Sequence, residues 1–320
     1  MDDLSDEGFF ASKKFEMLGT DIDLKIIFSN PGQKAKAEKA LAEAFDLYAQ
    51  AEKKFSRFDQ QSELCILNKN LGKFVRVSSG MMEVVSKAVF YHKQTDGYFD
   101  PRIISALENF GYTDDFGKND FAGKHSDFNE SYFQSKLEDD IEIDLKNESI
   151  KLIKRIDLSG LVKGYVTDKV SDFFSAQGWE NYYVDSGGDM FFAGEDENMN
   201  PWLVDVEGIS KDKLILDVSG VAIATSGIGK RKWEKNGQRF HHLINPKNPN
   251  KPSFDLKSVT VVADSVEKAD IWAKAIFLMG REKALILSEK KKIPFLMLYY
   301  SGGVFISNLM LQYLYENQSE

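Results

Sequence analysis

The chain has a single cysteine among its 320 residues, and this scarcity limits the chemistry open to it. Cys65 has no partner for an internal disulfide, which is consistent with a reducing compartment. It also has no second thiol for a structural zinc site, and the adjacent His241 and His242 do not have the spacing of zinc ligands. The sequence therefore predicts neither a disulfide framework nor a zinc centre.

Long apolar runs and an excess of positive charge are also absent. No segment approaches the roughly 18 apolar residues of a membrane-spanning helix. The formal net charge of -9 disfavours a surface that binds phosphate backbones. Residues 1–7 are acidic, unlike the basic start of a signal peptide. We expect no membrane span, no nucleic-acid partner and a cytoplasmic location, unless a signal or lipoprotein segment has been removed from the chain.

Hydrophobic periodicity predicts helices mixed with strands that do not alternate strictly. Helical spacing covers residues 33–55, 62–68, 79–95, 163–176, 266–279 and 281–289. Strand patterns cover residues 15–28, 141–144, 149–154, 182–185, 190–193, 202–206, 214–218, 221–225, 240–244, 259–263 and 294–300. A long loop is expected near residues 108–136. This order predicts an α+β fold with mixed, mainly antiparallel sheets and packed helices, in one domain across residues 1–320.

Four polar, glycine-rich clusters lie at predicted strand ends. They are Asp-Leu-Ser-Gly-Leu-Val-Lys-Gly-Tyr at 157–165, Asp-Ser-Gly-Gly-Asp at 185–189, Ala-Ile-Ala-Thr-Ser-Gly at 222–227 and His-His-Leu-Ile-Asn-Pro at 241–246. Glycine lets a backbone approach a ligand, and a strand-to-helix junction presents free amides to an anion. Each cluster alone is equally consistent with a tight turn, a helix cap or a solvated charge. Their order is the stronger signal.

Charged residues and histidines near these clusters supply candidate chemistry. Asp270 and Lys274 are four apart on a predicted helix and so share a face. The pair is either an exposed ion pair or part of a site, and the otherwise apolar helix favours the second. Because strand side chains alternate, we expect His242 to face the pocket and His241 the opposite side.

Taken in order, the motifs resemble the ApbE family, the FAD:protein FMN transferases. The resemblance begins with Met-Leu-Gly-Thr at 17–20 and continues through the Ser-Arg-Phe-Asp and Ser-Glu-Leu of 56–64 and Gly-Tyr-Phe-Asp-Pro at 97–101. It then follows the four clusters and ends with Ala-Asp-Ile-Trp-Ala at 269–273. It covers nearly the whole chain.

The resemblance implies an ApbE-like fold that binds FAD and Mg²⁺. Such proteins move FMN from FAD to a Ser or Thr hydroxyl of an acceptor protein and release AMP, whereas some relatives hydrolyse FAD. It implies metal binding by the Gly160 carbonyl and Asp270. We expect catalytic roles for Asp270, Lys274 and His242. The expected FAD contacts are Leu18, Phe58, Tyr98, Phe99, Asp100, Asp157, Lys163, Thr225, Ser226 and Ile244.

The chain departs from the family pattern near the implied metal. Lys274 stands where the family has a metal-binding Thr, and Asn245 stands where it has Asp. These changes remove an oxygen ligand and a negative charge and add a positive one. They leave two alternatives to transfer: an FAD pyrophosphatase, which would release AMP without an acceptor, and an FAD-binding protein without catalysis. We expect the Lys274 ammonium to take the place of the metal in the resting protein, paired with Asp270 and the diphosphate. During turnover we expect it to swing away, which leaves Asp270, the Gly160 carbonyl, water and the FAD phosphate to hold a weakened metal.

Overall fold

The computed structural model describes residues 9–113, 127–206, 208–209, 214–229, 231–235 and 237–315. Within them the helices are α1 (Lys34–Phe55), α2 (Glu63–Lys69), α3 (Ser79–Gln94), α4 (Ile104–Asn109), α5 (Leu137–Asp140), α6 (Ser159–Ala176), α7 (Val266–Met279) and α8 (Arg281–Lys291). Short 3₁₀ turns cover Pro31–Gln33, Pro101–Ile103, Glu130–Phe133 and Asn308–Tyr313.

The strands are β1 (Phe9–Met17), β2 (Thr20–Phe28), β3 (Phe74–Arg76), β4 (Ile141–Asp144), β5 (Ser149–Leu152), β6 (Asn181–Ser186), β7 (Asp189–Ala193), β8 (Leu203–Asp205), β9 (Ile215–Asp217), β10 (Ala222–Gly227), β11 (Lys232–Lys235), β12 (Gln238–His241), β13 (Leu256–Ala263), β14 (Phe295–Tyr299) and β15 (Val304–Ile306). Eight of them form an antiparallel sheet in the order β1-β2-β6-β7-β10-β13-β14-β15. The α+β prediction is confirmed.

The two faces of the main sheet bury different elements. One face packs against α1, α6 and α7, with Leu24 of β2, Val184 of β6 and Ala224 of β10 turned toward these helices. The other face, which carries Ile223 and Val262, is covered by the β8–β9 hairpin and by the segment around Met310. Because side chains alternate along a strand, the register of β7 and β10 decides which polar groups reach the helical side.

Helices α6 and α7 cross in close contact at Gly164. A Cβ on Gly164 would lie 2.6 Å from the Glu267 Cα and 2.8 Å from its backbone nitrogen, so only glycine fits there. The first turn of α7 is capped twice. Ser265 accepts from the Lys268 amide, and the Asp168 carboxylate on α6 accepts from the amides of Val266 and Glu267. These contacts fix α7 on α6 and thereby position Asp270.

Several predicted boundaries are wrong. The single strand predicted at 15–28 is a hairpin, β1–β2, which turns through Leu18 and Gly19, both at positive φ. The helix predicted from Lys163 begins at Ser159, and the strand predicted at 240–244 ends at His241. Residues 114–126 of the predicted loop lie outside the described residues. Helix α4 and the 3₁₀ turn Glu130–Phe133 occupy parts of the remainder. No helix of the described ranges is long and apolar enough to cross a membrane.

Candidate active site

Asp270 and Lys274 form an ion pair on the face of α7 that packs toward α6. The Lys274 Nζ contacts the Asp270 Oδ1, and only 2% of the Asp270 side chain and 18% of the Lys274 side chain are exposed. The Lys274 chain crosses the start of α6, because its Cε lies 3.6 Å from the position that a Cβ on Gly160 would take. Gly160, Asp270 and Lys274 are therefore neighbours, as the sequence predicted, and the pair is not a solvated one.

A second buried ion pair joins Lys163 of α6 to Asp189 at the start of β7. The Lys163 Nζ lies 2.6 Å from the Asp189 Oδ2. Burial opposes the charge of Lys163, but Asp189 and Asp270 outweigh it and raise the Lys163 pKa. Burial and the charge of Asp270 raise the pKa of Asp189 to about 6, although Lys163 and Lys274 oppose that rise. The two pairs lie within electrostatic reach of each other, because Asp270 acts on the charge of Lys163 and Lys274 acts on that of Asp189.

Arg231 and His242 face these pairs from the segments that flank β11 and β12. The Arg231 carbonyl lies 3.2 Å from the His242 Nδ1. A carbonyl only accepts, so Nδ1 carries the proton and the Nε2 of the neutral ring is an acceptor. Burial, followed by the charges of Arg231 and Lys274, lowers the His242 pKa to about 3. His242 is therefore neutral across the physiological range.

His241 has a different environment from its neighbour. Its Nε2 donates to the Ser253 carbonyl at 3.0 Å, and its ring packs against Phe254 and Phe277. Burial lowers the His241 pKa to about 4. His241 is the more buried of the two, at 1% exposed, and makes its contacts within the core, whereas His242 lies among the charged groups.

Aromatic side chains gather around Arg57 and Asp157 at the start of α6. The Arg57 guanidinium lies 4.4 Å from the Phe58 ring centre and 4.6 Å from that of Tyr112, and its Nε is 3.4 Å from the Asp157 Oδ2. Asp157 also accepts from the Ser159 amide at 2.8 Å. Ile244 belongs to the same apolar cluster as Tyr112. Phe58 remains 37% exposed, so its ring is open to a planar ligand.

Tyr98 and Phe99 reach the site from the loop after α3. Phe99 is buried and its ring lies 3.6 Å from the Cβ position of Gly160, beside the Lys274 chain. The hydroxyl of Tyr98 accepts from Lys283 at 3.0 Å, and Lys247 lies 4.6 Å from the Tyr98 ring centre. Phe99 thus lies beside Gly160, whereas Tyr98 has Lys247 over its ring and Lys283 at its hydroxyl.

The turn at Leu18 and Gly19 contacts the site through a hydrogen bond between Gly19 and Arg231. Leu18 has a φ of 55°, and its amide donates to the Glu52 carboxylate at 2.8 Å. The Gly19 carbonyl accepts from the Arg231 guanidinium at 2.9 Å. This bond joins the β1–β2 turn to the segment that carries Arg231 and His242.

Two predicted FAD contacts have side chains engaged elsewhere. Asp100 is 2% exposed, and its carboxylate is held by the guanidinium of Arg102, which also binds Asp140. Thr225 bonds to Thr260 at 2.9 Å across β10 and β13, on the sheet face turned away from α7. The structure therefore does not bring the Asp100 and Thr225 side chains to the lysine–aspartate pairs. Ser226 is buried on the α7 side.

Comparison with known proteins identifies the family. The sequence profile of the ApbE family matches residues 18–297. The chain belongs to the ApbE family. It is 28% identical over 294 residues to the FAD:protein FMN transferase of Vibrio cholerae serotype O1, covering 90% of this chain and 87% of that protein. The FAD:protein FMN transferase of Haemophilus influenzae is 25% identical over 287 residues, covering 85% of this chain and 82% of that protein.

Solved ApbE structures share the fold. The ApbE protein of Thermotoga maritima matches with a TM-score of 0.80 at 24% identity, covering 96% of this chain and 100% of that chain. The flavin transferase ApbE from Vibrio cholerae matches with a TM-score of 0.78 at 25% identity and the same coverage. The family resemblance drawn from the ordered motifs is confirmed.

Three charged residues of the candidate site, Asp189, Arg231 and Arg57, have no role that the ApbE motifs assign. Asp189 was visible as the last residue of Gly-Gly-Asp, but only its pairing with Ala224 shows that it faces α7. Arg231 follows the Thr-Ser-Gly motif in a run of charges that resembles a solvated segment. Arg57 precedes Phe58 directly, and its position between two rings and Asp157 carries no sequence signal.

Asn245, which stands where the ApbE family has Asp, makes two hydrogen bonds that account for an amide at this position. The Asn245 amide donates to the Leu278 carbonyl at 3.3 Å, and its Oδ1 accepts from the Lys247 amide at 3.0 Å. A carboxylate could not make the first of these bonds. Asn245 therefore ties the His-Leu-Ile-Asn-Pro segment to the end of α7.

Proposed function

We propose that this chain is a flavin transferase that takes FAD as its substrate and moves FMN to a Ser or Thr hydroxyl of an acceptor protein, with release of AMP. One observation carries the proposal. Two lysine–aspartate pairs and the neutral His242 converge where α6, α7 and β7 meet. The named relatives that cover 85% or more of this chain are FAD:protein FMN transferases, which supports the same substrate.

The charges of the site suit a diphosphate. Lys163, Lys274 and Arg231 are three cations against the carboxylates of Asp189 and Asp270, and His242 is neutral. The surplus positive charge would bind the doubly negative diphosphate of FAD. Phosphoryl transfer depends mainly on such charge neutralisation and on positioning.

The transfer step follows from this placement. The acceptor hydroxyl oxygen attacks the phosphorus on the FMN side, and a new P–O bond forms as the bridging P–O bond breaks. AMP leaves with the electrons of the broken bond. The hydroxyl proton passes to the Nε2 of His242, whose Nδ1 proton is held by the Arg231 carbonyl, and then to a phosphate oxygen of the departing AMP, which restores the neutral ring. The sum is FAD and a protein hydroxyl giving FMN-protein and AMP.

The residues present do not fit the Mg²⁺ that the family resemblance implies. Of the implied donors, Asp270 is paired with the Lys274 ammonium, and a protonated lysine has no lone pair for a metal. Mg²⁺ demands near-octahedral oxygen ligands at about 2.1 Å, a position that the ammonium occupies at Asp270. In the part of the chain that the structure describes, no three His, Cys, Asp or Glu side chains form a group that could hold a metal.

A second candidate activity is hydrolysis of FAD to FMN and AMP. The replacement of an oxygen donor by Lys274 favours it, because the same site could position water in place of the acceptor hydroxyl. The two activities are separated by whether AMP release requires the acceptor.

The test is to incubate the full chain with FAD and a candidate acceptor that bears a Ser/Thr flavinylation motif. Intact-protein mass spectrometry measures flavinylation, and AMP is quantified in the same sample. We expect the acceptor to gain FMN less one water, with equal AMP, and an acceptor whose target Ser or Thr is replaced by Ala to gain nothing. AMP in equal amounts with and without acceptor would support hydrolysis instead. Bound FAD that remains intact in every sample would contradict both.

A further inference from the structure

The Lys274 side chain is built into the interior of the site. It extends from α7 across Gly160 and past the Phe99 ring, and it ends at the Asp270 carboxylate. Lys268, six residues earlier on the same helix, pairs with Asp264 at 3.0 Å, but there 75% of the aspartate side chain is exposed. The contrast shows that the position of Lys274 is set by packing and not by chance contact at the surface.

The carboxylate that holds Lys274 retains binding capacity. Among the described residues, the buried Asp270 Oδ2 has no hydrogen-bond partner. The same is true of both carboxylate oxygens of Asp189, although its Oδ2 lies 2.6 Å from the Lys163 Nζ. Because both carboxylates lie within electrostatic reach of Lys274 and Lys163, their negative potential holds the ammonium groups at this point. Removal of the Lys274 charge would leave Asp270 as a buried carboxylate that needs another cation.

We propose that the Lys274 ammonium is the built-in cation of this site and that the chain binds the FAD diphosphate without a divalent metal. Lys274 has the charge and the donors to bridge Asp270 and a diphosphate oxygen, and it lies beside Gly160, the other donor of the metal site that the family resemblance implies. The inference rests on the proposed function for the identity of the ligand. Beyond the proposed function, we infer that the residue at position 274 alone makes FAD binding independent of a divalent metal.

FAD affinity and metal binding test the inference on the full-length protein. Flavin fluorescence titrations are carried out in excess EDTA and in millimolar Mg²⁺, for the unmodified protein, Lys274→Thr, Lys274→Met and the matched control Lys268→Thr. We expect unmodified protein and Lys268→Thr to bind FAD equally well in both buffers. Lys274→Thr should lose about tenfold or more in affinity in EDTA and regain it in Mg²⁺, because Thr restores an oxygen donor, whereas Lys274→Met should lose affinity in both.

A second readout needs neither FAD nor turnover. Titration with Mn²⁺, followed by electron paramagnetic resonance, should show a bound ion in Lys274→Thr and none in the unmodified protein. The inference is overturned if addition of Mg²⁺ increases the FAD affinity of the unmodified protein about tenfold or more. This comparison uses the unmodified protein alone, so it does not depend on the folding of any variant. That result leaves the proposed function standing. Absence of FAD binding by the unmodified protein in both buffers would overturn the inference and the proposed function together.

Discussion

Lys163 and Lys274 reach neighbouring carboxylates from different helices, so the two charges have different surroundings. Lys163 extends from α6 to Asp189 on the sheet, and Lys274 extends along α7 to Asp270. Each lysine compensates a carboxylate that is 2% exposed or less. Replacing either lysine therefore has two expected effects, loss of the proposed contact with FAD and a buried carboxylate left without its counter-charge, and an experiment must separate them.

The Lys163→Ala variant should bind FAD more weakly by about 1–3 kcal/mol, the scale of a lost charge-assisted hydrogen bond. Isothermal calorimetry measures the loss. The matched control is Lys169→Ala on the same helix, since Lys169 pairs with Glu83 at the surface, with 45% of its side chain exposed. The double variant with Asp189→Asn removes the uncompensated carboxylate. If Lys163→Ala and Lys169→Ala bind FAD alike, Lys163 is not a ligand.

The His242→Ala variant should transfer flavin about 10²–10⁴ times more slowly, the range for loss of a proton acceptor. FAD affinity should change little, because the neutral ring contributes no charge to the diphosphate. His241→Gln is the control, since Gln keeps a donor to the Ser253 carbonyl, and its transfer rate at neutral pH should match that of the unmodified protein. Equal single-turnover rates for His242→Ala and the unmodified protein would remove His242 from the mechanism.

At the residue scale, the sequence predicts which groups take part better than which way they point. Asp270 and Lys274 could be paired from their spacing alone, because a helix has a fixed period. Thr225 and Ser226 alternate on a strand, so only one can face a given side, but the choice depends on the neighbouring strands. That choice is made by the pairing of Thr225 with Thr260, which is distant in sequence.

Among the elements, α6 and α7 matter most, because their crossing sets the distance between Lys163 and Asp270. The close approach depends on Gly164 of α6, against the Glu267 backbone. Asp168 on the same helix also caps α7. These contacts hold the two helices together, so a change at their crossing should displace both ion pairs.

Gly164→Ala should destabilise the protein by about 1–3 kcal/mol, because its Cβ meets backbone atoms that cannot move aside. Gly160→Ala is the control for stability alone, since its Cβ would make ordinary contacts at 3.6 Å. That variant should change stability by no more than about 1 kcal/mol, given the helix preference of alanine. Urea unfolding measures both. Equal midpoints for the two variants would show that the crossing is not tight at Gly164.

Long, periodic elements were predictable from the sequence, and short edge strands were not. α1, α3 and α7 have helical spacing, α3 and α7 are capped by Ser78 and Ser265, and the predicted and observed bounds of α7 agree. The β1–β2 hairpin was missed because its turn is Leu18-Gly19, with both residues at positive φ, where leucine is rare and Asn-Gly or Asp-Gly is the usual signal. β11 and β15 are too short to show a period.

The whole molecule should lose stability in acid through its buried histidines. The pKa of His241 is lowered to about 4 and that of His242 to about 3 by burial. The unfolded chain binds protons near pH 6.5 that the native state does not, so stability is full above that pH and falls below it. Asp168 and Asp189 have pKa values raised to about 7 and about 6, chiefly by burial, and act in the opposite direction.

The His241→Gln variant isolates the contribution of His241 to the pH dependence of stability, because it keeps His242, Asp168 and Asp189. Between pH 7.5 and pH 4.5, the unmodified protein should lose about 2 kcal/mol more unfolding free energy than His241→Gln does. Urea denaturation at each pH provides the comparison. Parallel losses in the two proteins would show that His241 titrates in the native state as it does in the unfolded chain.

A crystal structure of the protein grown with FAD and excess Mg²⁺ would locate the diphosphate and any metal together. We expect diphosphate oxygens within about 3.2 Å of the Nζ atoms of Lys163 and Lys274, with a ring of FAD against Phe58 and no metal at Asp270. Mg²⁺ bound between the Gly160 carbonyl and Asp270, with Lys274 turned to solvent, would contradict this expectation, as would a diphosphate bound away from both lysines.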